Sequence, residues 1–174
     1  MADLLIAHFQ MLARYNRIVN QRLFVACAAL DDAEYRKQRA GSFGSIHALL
    51  NHILLGDRLW MARLTETGAW TTPPLATELY AEFTALRTAR EAEDIRIETF
   101  MAGLTEQLLG KEFSYVNMAG NPHRDPAPLA LAHLFNHQTH HRGQVHVMLS
   151  QTLVKPPSLD MHRAIRPDPV AAAS

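Results

Sequence analysis

A histidine-rich stretch in the last third of the chain constrains the fold more than any other segment. Residues 131–144 carry four of the ten histidines and contain no proline. Read as a helix, the stretch places His137 and His141 on the apolar face that also carries Leu134. A buried imidazole must satisfy two ring nitrogens. Because histidines four residues apart can share one metal ion, the pattern predicts half of a metal site in a helical core.

The spacing of these histidines also has a weaker interpretation. Histidine pairs occur on solvated helix faces, and we expect His133, His140 and His146 to lie in solvent. The zinc-protease signature is absent, because Gln138 stands where that signature places its catalytic glutamate. The spacing alone therefore leaves metal binding and a surface role open, and a matching histidine elsewhere in the core is needed to decide between them.

The composition indicates a soluble globular domain without a preference for polyanions. A chain of 174 residues is long enough to bury one full core. Hydrophobic residues make up 48% and charged residues 20%, which is typical of globular proteins. Lys plus Arg equals Asp plus Glu at 17 each. Since no net field favours nucleic acid or an anionic membrane, we expect neither as a partner.

Cysteine usage and the N-terminus predict a cytoplasmic protein. Cys27 is the only cysteine, so an intrachain disulfide is excluded and a reducing compartment is expected. Cys27 lies in an apolar helical stretch and is expected to be a small buried residue. Residues 1–4 do not open a secretory signal. No segment approaches the run of about 18 apolar residues that predicts a membrane span.

Hydrophobic periodicity and capping residues predict four long helices. We expect them at about residues 3–29, 45–67, 77–101 and 126–153. Ser45 is a favourable cap for the second helix, and Pro126 and Pro128 are favourable in the first turn of the fourth. The predicted bundle spans residues 1–155. A proline-containing tail, residues 156–174, is packed on the bundle or trails from it.

Several local features of the chain are less determined. The linker at residues 70–74 is compatible with a tight return or a crossover, so helix order and handedness stay open. Residues 113–116 predict a short extended piece followed by a turn. The charge-rich residues 87–98 are expected to form a solvated face. Asn16 and Asn20 lie near the buried edge of the first helix, as pocket residues or as satisfied core amides.

A third histidine, His52, lies on the apolar side of the second predicted helix. Gly56 follows one turn later and leaves space beside the ring. A lone histidine there is more often a hydrogen-bonded core residue than a ligand. However, residues 46–52 (IHALLNH) align with residues 131–137 (LAHLFNH), each after a long helix, a capped turn and an irregular connection. If the two segments belong to related helical hairpins, His52 and His137 meet near the middle of the bundle.

These segments together resemble the DinB (damage-inducible) family. The similarity is carried by residues 50–52, by residues 57–60 (DRLW) and above all by residues 135–144 (FNHQTHHRGQ), and it extends over nearly the whole chain. The resemblance implies an all-α fold, a four-helix bundle that binds a divalent metal ion through three histidines. Carried over to this chain, the implied metal ligands are His52, His137 and His141.

The family resemblance also implies a function class. Family members are commonly homodimers, and those of known activity include thiol-dependent S-transferases and isomerases. Three neutral imidazoles leave a coordination position open, as in catalytic zinc sites. Zinc or nickel is the expected ion, and iron and manganese stay open because all four accept imidazole. We expect a small-molecule substrate, such as a low-molecular-weight thiol. The alternative is a non-catalytic, metal-containing binding or stress-response protein.

The sequence identifies no general base. Asp57 and His140 lie near the implied ligands along the chain, but their helical positions point elsewhere. Gln144 and Asn136 are candidates for groups around the site, with packing or surface roles as alternatives. The expected homodimer is also favoured by apolar residues that the predicted helix interfaces do not obviously bury: Trp70, Met101 and Met118.

Overall fold

The protein is a bundle of helices with one small β-hairpin. Its structure is a computed structural model that describes residues 2–65 and 73–168. In chain order the elements are α1 (Ala2–Cys27), α2 (Asp32–Arg36), α3 (Ile46–Leu64), α4 (Phe83–Ala102), α5 (Glu106–Leu109), β1 (Glu112–Val116), β2 (Pro122–Pro126), α6 (Ala127–Leu149) and α7 (Met161–Ile165). Within the described ranges, no helix has the length and apolarity needed to cross a membrane.

The four long helices, α1, α3, α4 and α6, pack as a bundle. Helix α1 packs on α4 and α6, and α3 packs on the same two helices. It follows that α1 and α3 lie on one diagonal of the bundle and α4 and α6 on the other. The prediction of an all-α four-helix bundle is confirmed.

Two of these helices begin where the sequence predicts. At the start of α3 the Ser45 hydroxyl accepts the N–H of Ala48 at 3.1 Å, which satisfies a donor that the helix itself leaves free. Helix α6 begins at Ala127, directly after Pro126 and with Pro128 in its first turn. Proline fits there because the backbone N–H groups of the first turn have no acceptor within the helix, so no hydrogen bond is lost by its lack of an N–H.

The helix ends match the prediction less closely. Helix α1 ends at Cys27 and α6 at Leu149, each within about one turn of the predicted end. Cys27 is buried, as expected. The predicted end of α3, near Thr67 and Gly68, and the greater part of the linker at residues 70–74 lie outside the described residues.

The start of α4 was predicted wrongly. The helix begins at Phe83, not at Thr77, because tertiary contacts hold the preceding backbone in another conformation. The side chain of Asn51 accepts the N–H of Tyr80 at 2.9 Å and donates to its carbonyl oxygen at 3.2 Å. Helical residues would place these backbone groups in their own ladder, so the contact with α3 excludes helix here.

Two apolar clusters fill opposite ends of the bundle and show the direction of each helix. The first includes Phe9, Ala13, Met61, Leu64, Ile97, Met101, Leu131 and Phe135. The second includes Leu23, Phe24, Leu49, Ile53, Leu86, Val145 and Met148. Helices α1 and α6 therefore run from the first cluster to the second, and α3 and α4 run the opposite way. Because α3 and α4 run in the same direction, the connection between them is a crossover and not a tight return.

A polar layer separates the two clusters. It consists of seven buried side chains: Asn16, Asn20, Asp57, Arg90, Asp94, Gln138 and Arg142. The Arg90 guanidinium lies 2.5 Å from Asp57 and 3.0 Å from Asp94. Asn16 and Asn20 both donate to Asp94, so they are satisfied core amides. Charge is tolerated inside the bundle because Arg90 pairs with both carboxylates and the Arg142 guanidinium donates to the side-chain oxygens of Asn16 and Gln138.

The prediction that residues 87–98 form a solvated face is wrong in part: Arg87 and Glu91 are exposed, but three other charged residues are buried. Arg90, Glu93 and Asp94 are only 2%, 6% and 2% exposed. The burial of Arg90 depends on Asp57, which reaches it from another helix. Burial raises the pKa of Asp57 to about 7, while the neighbouring Arg90 acts in the lowering direction.

The chain between α4 and α6 contains the short helix α5 and then the β-hairpin. Strands β1 and β2 are antiparallel, with Glu112 opposite Pro126. The sequence predicts β1 as an extended piece but gives no signal for β2. Gly120 in the turn has φ +82°, a conformation that glycine adopts without steric cost. The ring of Tyr115 lies 5.6 Å from that of Trp60, so the hairpin packs against α3.

The segment after α6 returns along α1. The Tyr15 hydroxyl donates to the carbonyl oxygen of Leu159 at 2.7 Å. Ala164 of α7 is buried against Tyr15 and Val19. This part of the tail is packed on the bundle, and residues 169–174 lie outside the described residues.

Candidate metal centre

Three histidines from two helices converge in the middle of the bundle. His52 projects from α3, and His137 and His141 project from α6. The Nε2 atom of His52 lies 3.1 Å from that of His141 and 3.2 Å from that of His137. One ring nitrogen of each histidine lies within 4.8 Å of the other two. The structure therefore brings together all three of the histidines that the sequence singles out.

Two other residues, Gly56 and Phe43, shape the space around the rings. A Cβ atom at Gly56 would lie 2.5 Å from Cε1 of His137, closer than carbon atoms pack, so glycine allows this ring to approach α3. Phe43 stacks on His52 with ring centroids 3.9 Å apart and meets His141 edge-on at 5.6 Å. Phe43 lies in an irregular connection, where periodicity offers no signal for such a role.

Hydrogen bonds on the outer ring nitrogens determine two tautomers. His52 Nδ1 donates to the carbonyl oxygen of Leu75 at 3.0 Å, and His141 Nδ1 donates to Oε1 of Gln144 at 2.8 Å. Because these oxygens can only accept, each Nδ1 carries the proton and each neutral ring has a lone pair on Nε2. The two Nε2 lone pairs face each other at 3.1 Å without a proton between them, an arrangement that a cation stabilises.

The donor set fits a divalent metal ion. Nitrogen ligands at roughly 2.0–2.1 Å from a tetrahedral ion lie about 3.3 Å apart. The observed Nε2 separations of 3.1 and 3.2 Å are close to this value. Nδ1 of His137 is buried and has no hydrogen-bond partner in the described part of the chain. The ring of His137 is thus placed by packing against Gly56 and not by an acceptor.

The environment keeps these histidines neutral. Desolvation, followed by the proximity of His141 and His52, lowers the pKa of His137 to about 3. Desolvation also lowers the pKa of His52 and that of His141. Since a metal ligand must offer an unprotonated nitrogen, the burial of the cluster favours the state that binds an ion.

The other polar residues of α6 differ in their relation to the centre. His133 and His140 are exposed, as predicted, whereas His146 is only half-exposed. Gln144 contacts a ligand histidine directly, so of its two predicted roles the structure favours the one beside the site. Asn136 is exposed and lines a groove against α1, away from the three rings.

No carboxylate of the described ranges forms a hydrogen bond or an ion pair with the three histidines. Asp57 points into the polar layer, where it accepts from Arg90 and Gln138. The expectation that Asp57 faces away from the site is therefore confirmed. In the part of the chain that the structure describes, the centre therefore consists of imidazoles to which no carboxylate is bonded.

The similarity to known proteins extends along almost the entire chain. The model of the DinB family matches residues 3–170. The chain belongs to the DinB family. The resemblance carried by the histidine segments is thereby confirmed.

Two relatives agree with this family assignment. Protein DinB of Bacillus subtilis (strain 168) is 28% identical over 144 residues, which cover 80% of this chain and 83% of the relative. The crystal structure of a DinB-like protein from Bacillus cereus ATCC 10987 is similar with a TM-score of 0.62 at 18% identity, covering 83% of this chain and 90% of that one. At such low identity the structural likeness supports the fold alone.

A cleft of about 510 Å³ opens beside the centre of this DinB-family chain. His52 and His137 line it together with Trp60 and Arg63 of α3 and Tyr115 of β1. Its volume lies in the range of small-molecule sites, roughly 300–1,000 Å³. A small molecule bound at this end of the cleft can therefore reach two of the three histidines.

Proposed function

We propose that this DinB-family chain is a metal-dependent enzyme in which His52, His137 and His141 hold one divalent ion beside a substrate cleft. The strongest support is the pair of proton-free Nε2 atoms 3.1 Å apart. Their tautomers are maintained by Leu75 and Gln144, which is the arrangement that orients metal-binding imidazoles in proteins.

The ligand set favours a catalytic over a structural ion. Structural zinc sites are usually closed by four protein ligands, whereas catalytic sites keep a position open. A divalent ion bound here supplies Lewis acidity, which lowers the pKa of a water or thiol at the open position. Zinc or nickel is the ion that we propose first, with iron and manganese next, because imidazole suits all of these metals.

The surroundings of the centre favour transfer of a thiol over hydrolysis. No described carboxylate is placed to take a proton from water. A thiol, with an ordinary pKa of about 8.5, needs less help to become a nucleophile than water does. Phe43 covers His52 and His141 and limits the approach of solvent from that side. We therefore propose a low-molecular-weight thiol as one substrate and a small electrophile as the other.

A non-catalytic role is the second candidate, and the burial of the centre favours it. His52 and His141 are only 4% and 7% exposed, so an ion among these rings is largely enclosed by protein. Such an ion stabilises the bundle by linking α3 to α6 whether or not a reaction follows. In this case the chain is a metal-containing binding or stress-response protein.

Metal content tests the ligand assignment. Protein purified without a histidine tag should contain about one divalent ion per chain, measured by elemental analysis. His137→Ala and His141→Ala should lose the ion, because two imidazoles form a much weaker site. His133→Ala and His140→Ala remove exposed histidines of the same helix and should keep it. Equal loss in both pairs of variants would refute the assignment.

Turnover tests the choice between the candidate functions. Metal-loaded protein is incubated with several thiols and with monochlorobimane or epoxides as electrophiles, and ester hydrolysis is followed alongside. Thiol-dependent turnover that disappears in His141→Ala supports the transferase. Turnover without thiol indicates hydrolysis. If no substrate is turned over while the metal stays bound, the non-catalytic role is favoured.

We also propose that the chain forms a homodimer, on the basis of the family and of exposed apolar residues such as Met118 and Leu129, which are 49% and 57% exposed. Met101 does not support a dimer surface, because it is buried in the first apolar cluster. Trp70 lies outside the described residues. Light scattering at micromolar concentration should give twice the mass of the 19.5 kDa chain, and a monomer mass would contradict the proposal.

A further inference from the structure

Arg63 forms a fixed positive charge on the wall of the cleft. Its guanidinium carbon lies 4.8 Å from the ring centroid of Trp60 and 4.2 Å from that of Tyr115. Its hydrogen bond to the carbonyl oxygen of Val116 is long, at 3.4 Å. No carboxylate within residues 2–65 and 73–168 forms an ion pair with Arg63. The two rings hold the guanidinium in place, while most of its N–H donors stay available.

The position of Arg63 on α3 relates it to the histidines. Eleven residues separate it from His52, which is close to three full turns, so both side chains lie on one face of the helix. Side chains on a helix lean toward its N-terminus, so Arg63 leans along the cleft toward His52. A ligand that contacts both ends spans roughly 10 Å, as estimated from a rise of about 1.5 Å per residue less the reach of the Arg63 side chain, which is the one that leans into the gap.

The other charged and titratable groups on this wall do not neutralise Arg63. Asp125 contacts the aromatic wall, where its carboxylate accepts a hydrogen bond from the Tyr115 hydroxyl at 2.7 Å. His123 stacks on Tyr115 at 5.5 Å, and His133 lies 4.7 Å from the Trp60 ring. Both line the cleft, and neither imidazole carries negative charge. The end of the cleft remote from the three histidines is therefore suited to an anion.

We propose that the cleft binds a small organic carboxylate, with the carboxylate on Arg63, an apolar body against Trp60 and Tyr115, and the opposite end directed toward the three histidines. This inference rests on the proposed function, because it names the substrate class of the same site. A carboxylate matches the planar fork of guanidinium donors, and a single fixed cation suits a single negative charge.

Binding to metal-free protein tests the proposal without requiring turnover. The probes are 3-phenylpropionate and its neutral isostere 3-phenylpropanamide, titrated by calorimetry into protein stripped with EDTA. The titration is run at about pH 8, above the ordinary histidine pKa of about 6.5, so that imidazolium does not contribute. We expect the acid to bind about tenfold or more tightly than the amide, the scale of a charge-assisted contact. Arg63→Met should abolish this preference and Arg63→Lys should restore part of it.

Arg124→Gln is the matched control. It removes the same charge from the neighbouring strand, where Arg124 is 71% exposed and pairs with Glu112 at 2.7 Å, outside the cleft. This variant should keep the preference for the acid. Equal binding of acid and amide, no binding of either, or a preference that survives in Arg63→Met would overturn the inference. A preference that appears only after zinc is added would also overturn it, because the ion is then the receptor. These outcomes are independent of the thiol assays: selective binding without turnover refutes only the proposed reaction, and turnover without selective binding refutes only the role of Arg63.

Discussion

Gly56 offers the sharpest test of how the two ligand-bearing helices meet. Gly56→Ala adds one methyl carbon to α3, 2.5 Å from Cε1 and 3.1 Å from Nδ1 of His137. Carbon atoms pack at about 3.5–4.0 Å, so the imidazole has to retreat by about 1 Å. Because its Nε2 atom lies 3.2 Å from that of His52, a shift of this size moves His137 away from a favourable ligand position and weakens its bond to an ion.

The magnitudes separate an effect on metal binding from an effect on folding. Alanine stabilises a helix interior by about 0.8–1.0 kcal/mol relative to glycine, whereas an overpacked core costs about 1–3 kcal/mol. We therefore expect the free energy of unfolding of metal-free Gly56→Ala, measured in urea, to lie within about 2 kcal/mol of that of the wild type. Zinc affinity has no such compensation and should fall by about 10–100-fold, the usual effect of disturbing the support of a metal ligand. Competition with a chromophoric chelator measures it.

Gly143→Ala is the control for the same substitution. Gly143 lies on α6 close to His141, and an added Cβ would meet nothing within 4 Å in the described structure. This variant should gain up to about 1 kcal/mol of helix stability and bind zinc like wild type. If Gly56→Ala binds zinc as tightly as Gly143→Ala does, the ring of His137 does not lie against Gly56, and the described centre is wrong.

Three further perturbations test the surroundings of the centre. Gln144→Leu removes the acceptor of a ligand's Nδ1–H, and zinc affinity should fall by about tenfold or more in the same competition assay; unchanged affinity would contradict this supporting role. Arg90→Met leaves the carboxyl groups of Asp57 and Asp94 unpaired and should cost about 3–5 kcal/mol in urea unfolding. The cost should be larger at pH 8 than at pH 5, because both pKa values then lie above that of an unfolded Asp and the native state holds the extra protons; equal cost would argue against buried charge. In metal-free wild type the folded pKa of His137 is about 3 against about 6.5 unfolded, so the unfolded state binds the proton first. The free energy of unfolding should therefore fall as pH drops from 6.5 toward 3, by at most about 1.4 kcal/mol per pH unit for this residue, and His137→Ala should flatten the profile.

The parts of the fold that follow from local sequence could be predicted, and those that depend on distant partners could not. Ser45 caps α3 by accepting the N–H of Ala48, three residues later. The start of that helix is therefore determined by residues that are close in sequence. The start of α4 depends on Asn51, which binds the backbone of Tyr80. The burial of Arg90 depends on Asp57. In both cases the deciding contact joins different helices, and helical periodicity carries no information about it.

The candidate site divides in the same way. The spacing of His137 and His141 places both rings on one face, and the aligned segment around His52 pairs it with them across the bundle. The stacking of Phe43 on His52 and the hydrogen bond of His52 to Leu75 come from irregular connections. The backbone path of each connection is determined by how the helices pack, and hydrophobic periodicity in the sequence does not predict it.

The polar layer has a consequence for the offset between the helices. Besides the contacts of Arg90, Gln138 donates to Asp57 and Arg142 donates to Asn16, so the layer includes side chains from all four long helices. An apolar bundle tolerates sliding, because one leucine can replace another at the interface. Here, advancing a helix by one residue rotates its side chains by about 100° and moves a guanidinium or a carboxylate into hydrocarbon. Slipped or rearranged bundles are thereby penalised, and the helices are aligned so that His52 faces His137 before any ion is bound.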